Sequence, residues 1–140
     1  VWRTAVSLKA DITEELMVSI FWPGTPLHDG AVVIDQNNII AAGCYLPLTE
    51  KTDISRWYGT RHRAALGVTE MSDALAIAVS EERGEITVAV GGRLSKPLSE
   101  AQLRSICGHY FSYEGRGSNF MDRLREEIVQ QWPGSVPNEE

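Results

Sequence analysis

A mixed α/β domain, built as one central mixed β-sheet flanked by helices, is what this chain predicts. Three features point there: β-rich runs and helical spacings alternate, no regular βαβ repeat organises them, and 140 residues suit a single globular unit. The 43% hydrophobic content supplies a core, and 23% charged residues is ordinary for a folded domain, which excludes disordered and fibrous classes.

Asp11–Phe21 opens with Asp11 and Glu14 in the D-x-x-E spacing of a helix start, sets Leu16, Met17, Ile20 and Phe21 on one face, and stops before Pro23. Ala31–Asp35 and Ile39–Leu46 are β-rich and flank the polar Gln36-Asn37-Asn38, which predicts a hairpin. Helical spacing returns over Arg61–Met71. Ala74–Ser80 then reads as a buried strand, Glu81–Gly84 as a turn, and Glu85–Val90 as a further strand closed by Gly91-Gly92. Ser99 and Gln102 form an S-x-x-Q capping box opening a helix that runs to about Phe111. Residues 1–111 are thus expected to form the main domain and 112–118 a linker. Over 119–132 the recurrence of Phe120, Leu124, Ile128 and Trp132 predicts an amphipathic helix, packed on its own domain or on another subunit, and 133–140 a flexible tail.

Composition also bounds function. A net charge of −6 argues against nonspecific nucleic-acid binding, which needs a basic face to neutralise phosphates. Arg56, Arg61, His62 and Arg63 are a local basic exception. Apolar stretches such as Ala74–Val79 reach only about a third of the roughly 20 residues a membrane-spanning helix needs. No basic-then-apolar secretory signal opens the chain, and Val1 in place of methionine leaves the upstream sequence unknown. Cys44 and Cys107, far apart and outside any CxxC or Cys/His cluster, are expected to be buried free thiols.

Two segments carry candidate chemistry. In Thr25-Pro26-Leu27-His28-Asp29-Gly30-Ala31 a histidine and a carboxylate stand in a turn just before a strand, where side chains can face a ligand from a rigid edge. Asp-Gly is equally a common turn dipeptide, and His28 equally a surface side chain. In Gly59-Thr60-Arg61-His62-Arg63 a hydroxyl and three basic or potentially basic groups stand at a helix start, where free N–H groups and the helix dipole favour an anion. Arginine adds charge-assisted bonds to phosphate; the competing reading is a solvated basic face. Neither a Walker-type loop nor a dinucleotide G-x-G-x-x-G is present.

Taken together the two segments resemble the diadenylate cyclase domain family, whose hallmark motifs Asp-Gly-Ala and Arg-His-Arg stand here as Asp29-Gly30-Ala31 and Arg61-His62-Arg63. The resemblance extends to Pro26-Leu27-His28, Cys44-Tyr45-Leu46-Pro47-Leu48, Gly59-Thr60, Asp73-Ala74-Leu75 and Ser80-Glu81-Glu82, covering about Asp11 to Val90. Its wording is most similar to the membrane-associated, CdaA-type branch. Against the family pattern, an additional N-terminal helix and strand pair are not found before Val1–Ala10.

The resemblance implies that residues 1–111 are a nucleotidyltransferase domain that condenses two ATP into cyclic di-AMP and two pyrophosphates across a face-to-face homodimer. It implies Asp29, Gly30, Arg61, His62 and Arg63 as the catalytic set, with His62 either contacting phosphate or buttressing the turn. Ala31, Tyr45, Leu46, Thr60, Arg61, Arg63, Ser80, Glu81 and Glu82 are implied ATP contacts, with Tyr45 and Leu46 forming the adenine slot. An ordinary carboxylate, with a pKa of about 4, is a poor base for an alcohol without metal help. Mg²⁺ or Mn²⁺ held by His28 and Asp29 is therefore expected. A cytoplasmic site follows, tethered to the membrane only through an upstream segment. Two rivals are kept: an ATP-binding sensor without turnover, and an interaction domain whose Arg61–Arg63 grip an acidic partner.

Overall fold

The structure, a computed structural model, describes residues 5–52, 54 and 58–112. Helices and strands are mixed as expected, but in place of one mixed sheet the described residues form two three-stranded sheets, both antiparallel throughout. The chain divides into two compact units, Val1–Pro47 and Leu48–Glu140.

The first unit contains β1 (Val6–Asp11), α1 (Glu14–Phe21), β2 (Ala31–Asp35) and β3 (Asn38–Cys44), with sheet order β1-β3-β2. The expected β2–β3 hairpin is present, with Asp35 opposite Asn38 and Gln36 in the left-handed region at φ 58°. β1 was not anticipated. Its alternation is broken at Lys9, whose φ of 53° coincides with a register shift against β3, and a bulged six-residue strand carries a weak period-two signal. The D-x-x-E helix start is corrected. Asp11 ends β1 opposite Asn38, and Thr13 is the N-cap, its Oγ1 accepting the Leu16 N–H at 3.1 Å. Ile20, Ile39 and Ala42 form the core, with Leu8, Leu16, Met17, Leu27 and Val32 packed around them. β3 ends at Cys44, so Tyr45 and Leu46 lie beyond the strand and not within it.

The second unit contains α2 (Thr60–Glu70), β4 (Leu75–Val79), β5 (Ile86–Val90), β6 (Arg93–Leu94) and α3 (Glu100–Ser112), with sheet order β4-β5-β6. β5 is central and buried on both faces, which explains its near-continuous apolar run, interrupted by Thr87. Ala89 packs with Ala65 and Leu66 of α2, while Val88 and Val90 pack with Ile106 of α3. β4, expected to be a buried strand, is an edge strand whose Ile77 and Val79 are exposed. The two-residue β6 was too short to be read from sequence. Gly91 and Gly92, both at positive φ, make the tight turn into it. The α3 capping box forms as anticipated: Ser99 N–H donates to Gln102 Oε1 at 2.9 Å, and Gln102 N–H to Ser99 Oγ at 3.2 Å.

Ser112, assigned to a linker, belongs to α3. The remaining linker residues, the 119–132 helix and the 133–140 tail lie outside the described residues, as do Arg56 and Trp57. Among the described residues no helix is long and apolar enough to cross a membrane.

Candidate active site

The candidate residues divide between the units. In the first, Thr25 laces the turn after α1: its Oγ1 donates to the Ile20 carbonyl at 2.9 Å, and its own carbonyl accepts His28 Nδ1 at 2.7 Å. A carbonyl can only accept, so Nδ1 carries the proton, and in the neutral ring Nε2 keeps its lone pair. Asp29 follows, exposed at the end of the turn. Gly30 is fixed by backbone proximity. A Cβ there would lie 2.8 Å from the Gly43 carbonyl carbon and 2.9 Å from its Cα, closer than any side chain tolerates. Opposite it, Gly43 takes φ 67° at a register shift between β2 and β3. Ala31 then pairs with Cys44, so the Asp-Gly-Ala motif enters the sheet beside the strand end that leads to Tyr45 and Leu46. Tyr45 is 59% exposed and Leu46 half-buried, leaving the phenol ring open for stacking. Burial pushes the Cys44 thiol pKa up and does the same to Cys107, so neither is an activated nucleophile. Cys44 is buried as expected, whereas Cys107 is only partly so, and both are free.

In the second unit, α2 begins as the motif suggested. Gly59 is the N-cap and, without a side chain, cannot cap the helix itself. His62 reaches back instead: its Nδ1 accepts the Gly59 N–H at 3.1 Å. Its ring is 4% exposed and lies 4.8 Å from that of Tyr58, tilted 40°. His62 is thus turned into the unit, while Thr60 and Arg61 are exposed and Arg63 is half-buried. The His62 pKa is lowered by burial first and by Arg83 second; Glu82 and Glu85 oppose the shift, and Arg61 adds to it.

Arg61 joins the Arg-His-Arg motif to the Ser-Glu-Glu stretch. Its guanidinium donates to the Val79 carbonyl at 2.9 Å and stands 3.8 Å from the Glu81 carboxylate. Among the described residues no carboxylate pairs with Arg63. Ser80, 5% exposed, closes the following turn, with its Oγ accepting the Arg83 N–H at 3.1 Å and its carbonyl the Gly84 N–H at 2.9 Å. Glu81 and Glu82 are exposed on that turn.

One supporting residue escaped the sequence reading. Thr49 donates its N–H to the Arg63 carbonyl at 3.0 Å and its Oγ1 to Glu70 Oε2 at 2.7 Å, fastening the entry of the unit along α2. Lys51 completes the clamp from the same carboxylate, 3.7 Å away, to the Gly92 carbonyl at 3.0 Å. No periodicity connects Thr49 with a partner 21 residues on, so no local signal marks it.

Among the described residues no cluster of three or more His, Cys, Asp or Glu side chains could hold a metal by itself. His28, its Nδ1–H held by a carbonyl, has the tautomer typical of metal-bound histidine and could serve as a ligand, and the exposed Asp29 follows it in sequence. A bound nucleotide would have to supply the remaining oxygens.

Residues 1–94 match the family described as DAC, DisA bacterial checkpoint controller nucleotide-binding, and the chain belongs to that family. It is 47% identical over 117 residues to cyclic di-AMP synthase CdaA of Bacillus subtilis, covering 84% of this chain and 43% of that protein. It is 48% identical over 104 residues to a diadenylate cyclase of Listeria monocytogenes, covering 74% of this chain and 38% of that one. The chain therefore spans less than half the length of these relatives. A double cysteine mutant of DacA from Staphylococcus aureus superposes with a TM-score of 0.75 at 41% identity, covering 77% of this chain and 72% of that one. The branch expected from the motif wording agrees with the match to CdaA.

Proposed function

We propose that this domain is a diadenylate cyclase that condenses two ATP into cyclic di-AMP, releasing two pyrophosphates. The reading is carried by one observation: both family motifs stand unaltered in a chain 47–48% identical to proteins named for this activity. The 3′-hydroxyl oxygen of each ATP attacks the α-phosphorus of the other, forming one phosphodiester bond as the bond to pyrophosphate breaks. The hydroxyl proton leaves to base or solvent, and the second condensation closes the ring. Protein groups in such a reaction chiefly position reactants and stabilise charge.

Asp29, exposed beside an immovable Gly30, orients the 3′-hydroxyl. His28 Nε2 and the Asp29 carboxylate would hold Mg²⁺ or Mn²⁺, which supplies positive charge to acidify the hydroxyl and offset the phosphates. Thr60, Arg61 and Arg63, with the free N–H groups of the α2 start, bind phosphate. Tyr45 stacks on adenine and Leu46 lines its slot. Ser80, Glu81 and Glu82 border the phosphates, Glu81 by steering Arg61. Two nucleotides must meet, so the active form is a two-fold homodimer. The domain would work on the cytoplasmic side of a membrane, tethered through sequence outside this chain.

Incubation with ATP and Mn²⁺ followed by chromatography should yield cyclic di-AMP, with specific activity rising with enzyme concentration where the dimer is partly dissociated. ATP binding without any cyclic product would favour the sensor alternative. Constant specific activity from a species shown to be monomeric would overturn the shared-site mechanism.

A further inference from the structure

α2 and α3 solve the same problem with different residues. Each helix start leaves N–H groups without intrahelical partners. In α3 the residue three positions after the N-cap, Gln102, turns back and accepts the Ser99 N–H at 2.9 Å. In α2 the equivalent position is His62, and its Nδ1 accepts the Gly59 N–H at 3.1 Å. Because Gly59 has no side chain, His62 provides the only half of a capping box that α2 can make.

We propose that His62 is a positioning residue for the α2 anion site and not a phosphate ligand: a neutral imidazole with its proton on Nε2 holds the Gly59 N–H and sets the first helical turn. The proposal deepens the cyclase reading, resting on its assignment of phosphate to the start of α2. Three observations support it. The Nδ1 lone pair is already occupied by a donor. The ring is buried against Tyr58, while the flanking Thr60 and Arg61 face solvent. Binding the Gly59 amide also leaves those of Thr60, Arg61 and His62, at the first three helical positions, for an anion, while Arg63 N–H makes the first regular bond to the Gly59 carbonyl at 3.1 Å. A protonated ring would present N–H to N–H at the Gly59 contact and lose the bond. The charged groups around the ring are Arg83 and Arg61, which disfavour protonation, and Glu82 and Glu85, which favour it; burial adds to the first pair.

Glutamine separates the two roles. It can accept the N-cap N–H, as Gln102 does in this chain, but it cannot carry charge to a phosphate. The test compares the chain with its His62→Gln and His62→Ala forms by amide hydrogen exchange at Gly59 and Arg63, the two hydrogen-bonded amides of this helix start, by imidazole ¹⁵N shifts, and by KM and kcat for ATP with Mn²⁺. His62→Ala should speed exchange at both amides and raise KM about tenfold with kcat within about threefold, the scale of a lost cap. His62→Gln should restore slow exchange and bring KM back to within about threefold of the parent. The ¹⁵N shifts should show an unprotonated Nδ1 in the ligand-free protein. A His62→Gln form as impaired in KM as His62→Ala, or a protonated Nδ1 at neutral pH, overturns the proposal. If the parent makes no cyclic product, the cyclase reading fails, whereas exchange and tautomer still decide this one. If His62→Ala does not fold, His62→Gln and the ¹⁵N shifts suffice.

Discussion

His28, just before the first family motif, and His62, within the second, are held by the same ring atom in opposite senses. His28 Nδ1 donates to a carbonyl, that of Thr25, so in the neutral ring its other nitrogen keeps a lone pair. His62 Nδ1 accepts from an amide, that of Gly59, so its lone pair is spent inside the second unit. The His28 bond is made by an Nδ1–H donor, whereas the His62 bond is made by an Nδ1 lone pair, so protonating His62 removes it. The difference shows that residue type within a motif does not assign a role. The partner of one nitrogen decides what the other can do.

The comparison is broken most severely at the first motif. Asp29→Asn keeps volume and removes charge, and we expect it to lower turnover by about a hundredfold or more while ATP binding stays within several-fold, the loss expected of a carboxylate that orients the hydroxyl and helps to hold the metal that acidifies it. Initial rates at saturating ATP and metal, with calorimetry for binding, check this; undiminished turnover would refute the role of Asp29. Gly30→Ala tests the shape behind it. A methyl group 2.8 Å from Gly43 must push β2 and β3 apart, so a loss of about 1–3 kcal/mol is expected in urea unfolding. Unchanged stability would show that the hairpin can yield there.

At the second motif the arginines sharpen the contrast between holding structure and holding ligand. Arg63, without a carboxylate partner among the described residues, should on mutation to Ala weaken ATP more than adenosine. The difference should be about 1.5–3 kcal/mol, the worth of a charge-assisted bond. Arg61 already contacts Val79 and Glu81, so Arg61→Ala should cost ATP affinity and also loosen the turn after β4. Hydrogen exchange at Arg83 and Gly84, whose amides close that turn, would reveal it. Equal losses for ATP and adenosine in both variants would make the arginines supports of the fold.

Local patterns made much of this legible. The β2–β3 hairpin, the α2 start and the Ser99–Gln102 box all follow from neighbours within a few residues, and the two motifs were found because each is contiguous. What escaped was non-local or irregular: β1, whose alternation is broken at Lys9; the Thr49–Glu70 clamp; and the edge position of β4, since an apolar run does not say how many neighbours a strand has. The direction of His62 was also unreadable. A histidine three residues after an N-cap can equally face solvent, and only the missing Gly59 side chain hints that it turns back.

The smallest effect expected is a pH dependence confined to the second motif. Burial of the His62 ring, reinforced by Arg83 and Arg61 over the opposition of Glu82 and Glu85, holds its pKa below the ordinary imidazole value of about 6.5. The unfolded chain therefore binds more protons at this position than the folded one, and the contribution of His62 to stability rises with pH. That contribution is complete above the ordinary histidine range and is lost as pH falls through it toward the folded-state value. Carboxylates titrate in the lower part of the same window, so the informative quantity is a difference: urea midpoints of the parent and of His62→Gln, followed from pH 7.5 down to pH 5. The parent should lose more stability than the variant over that interval, because glutamine keeps its bond to Gly59 at every pH. Parallel curves would mean that His62 changes its protonation equally in the folded and unfolded chain, and with that the distinction between the two histidines would collapse.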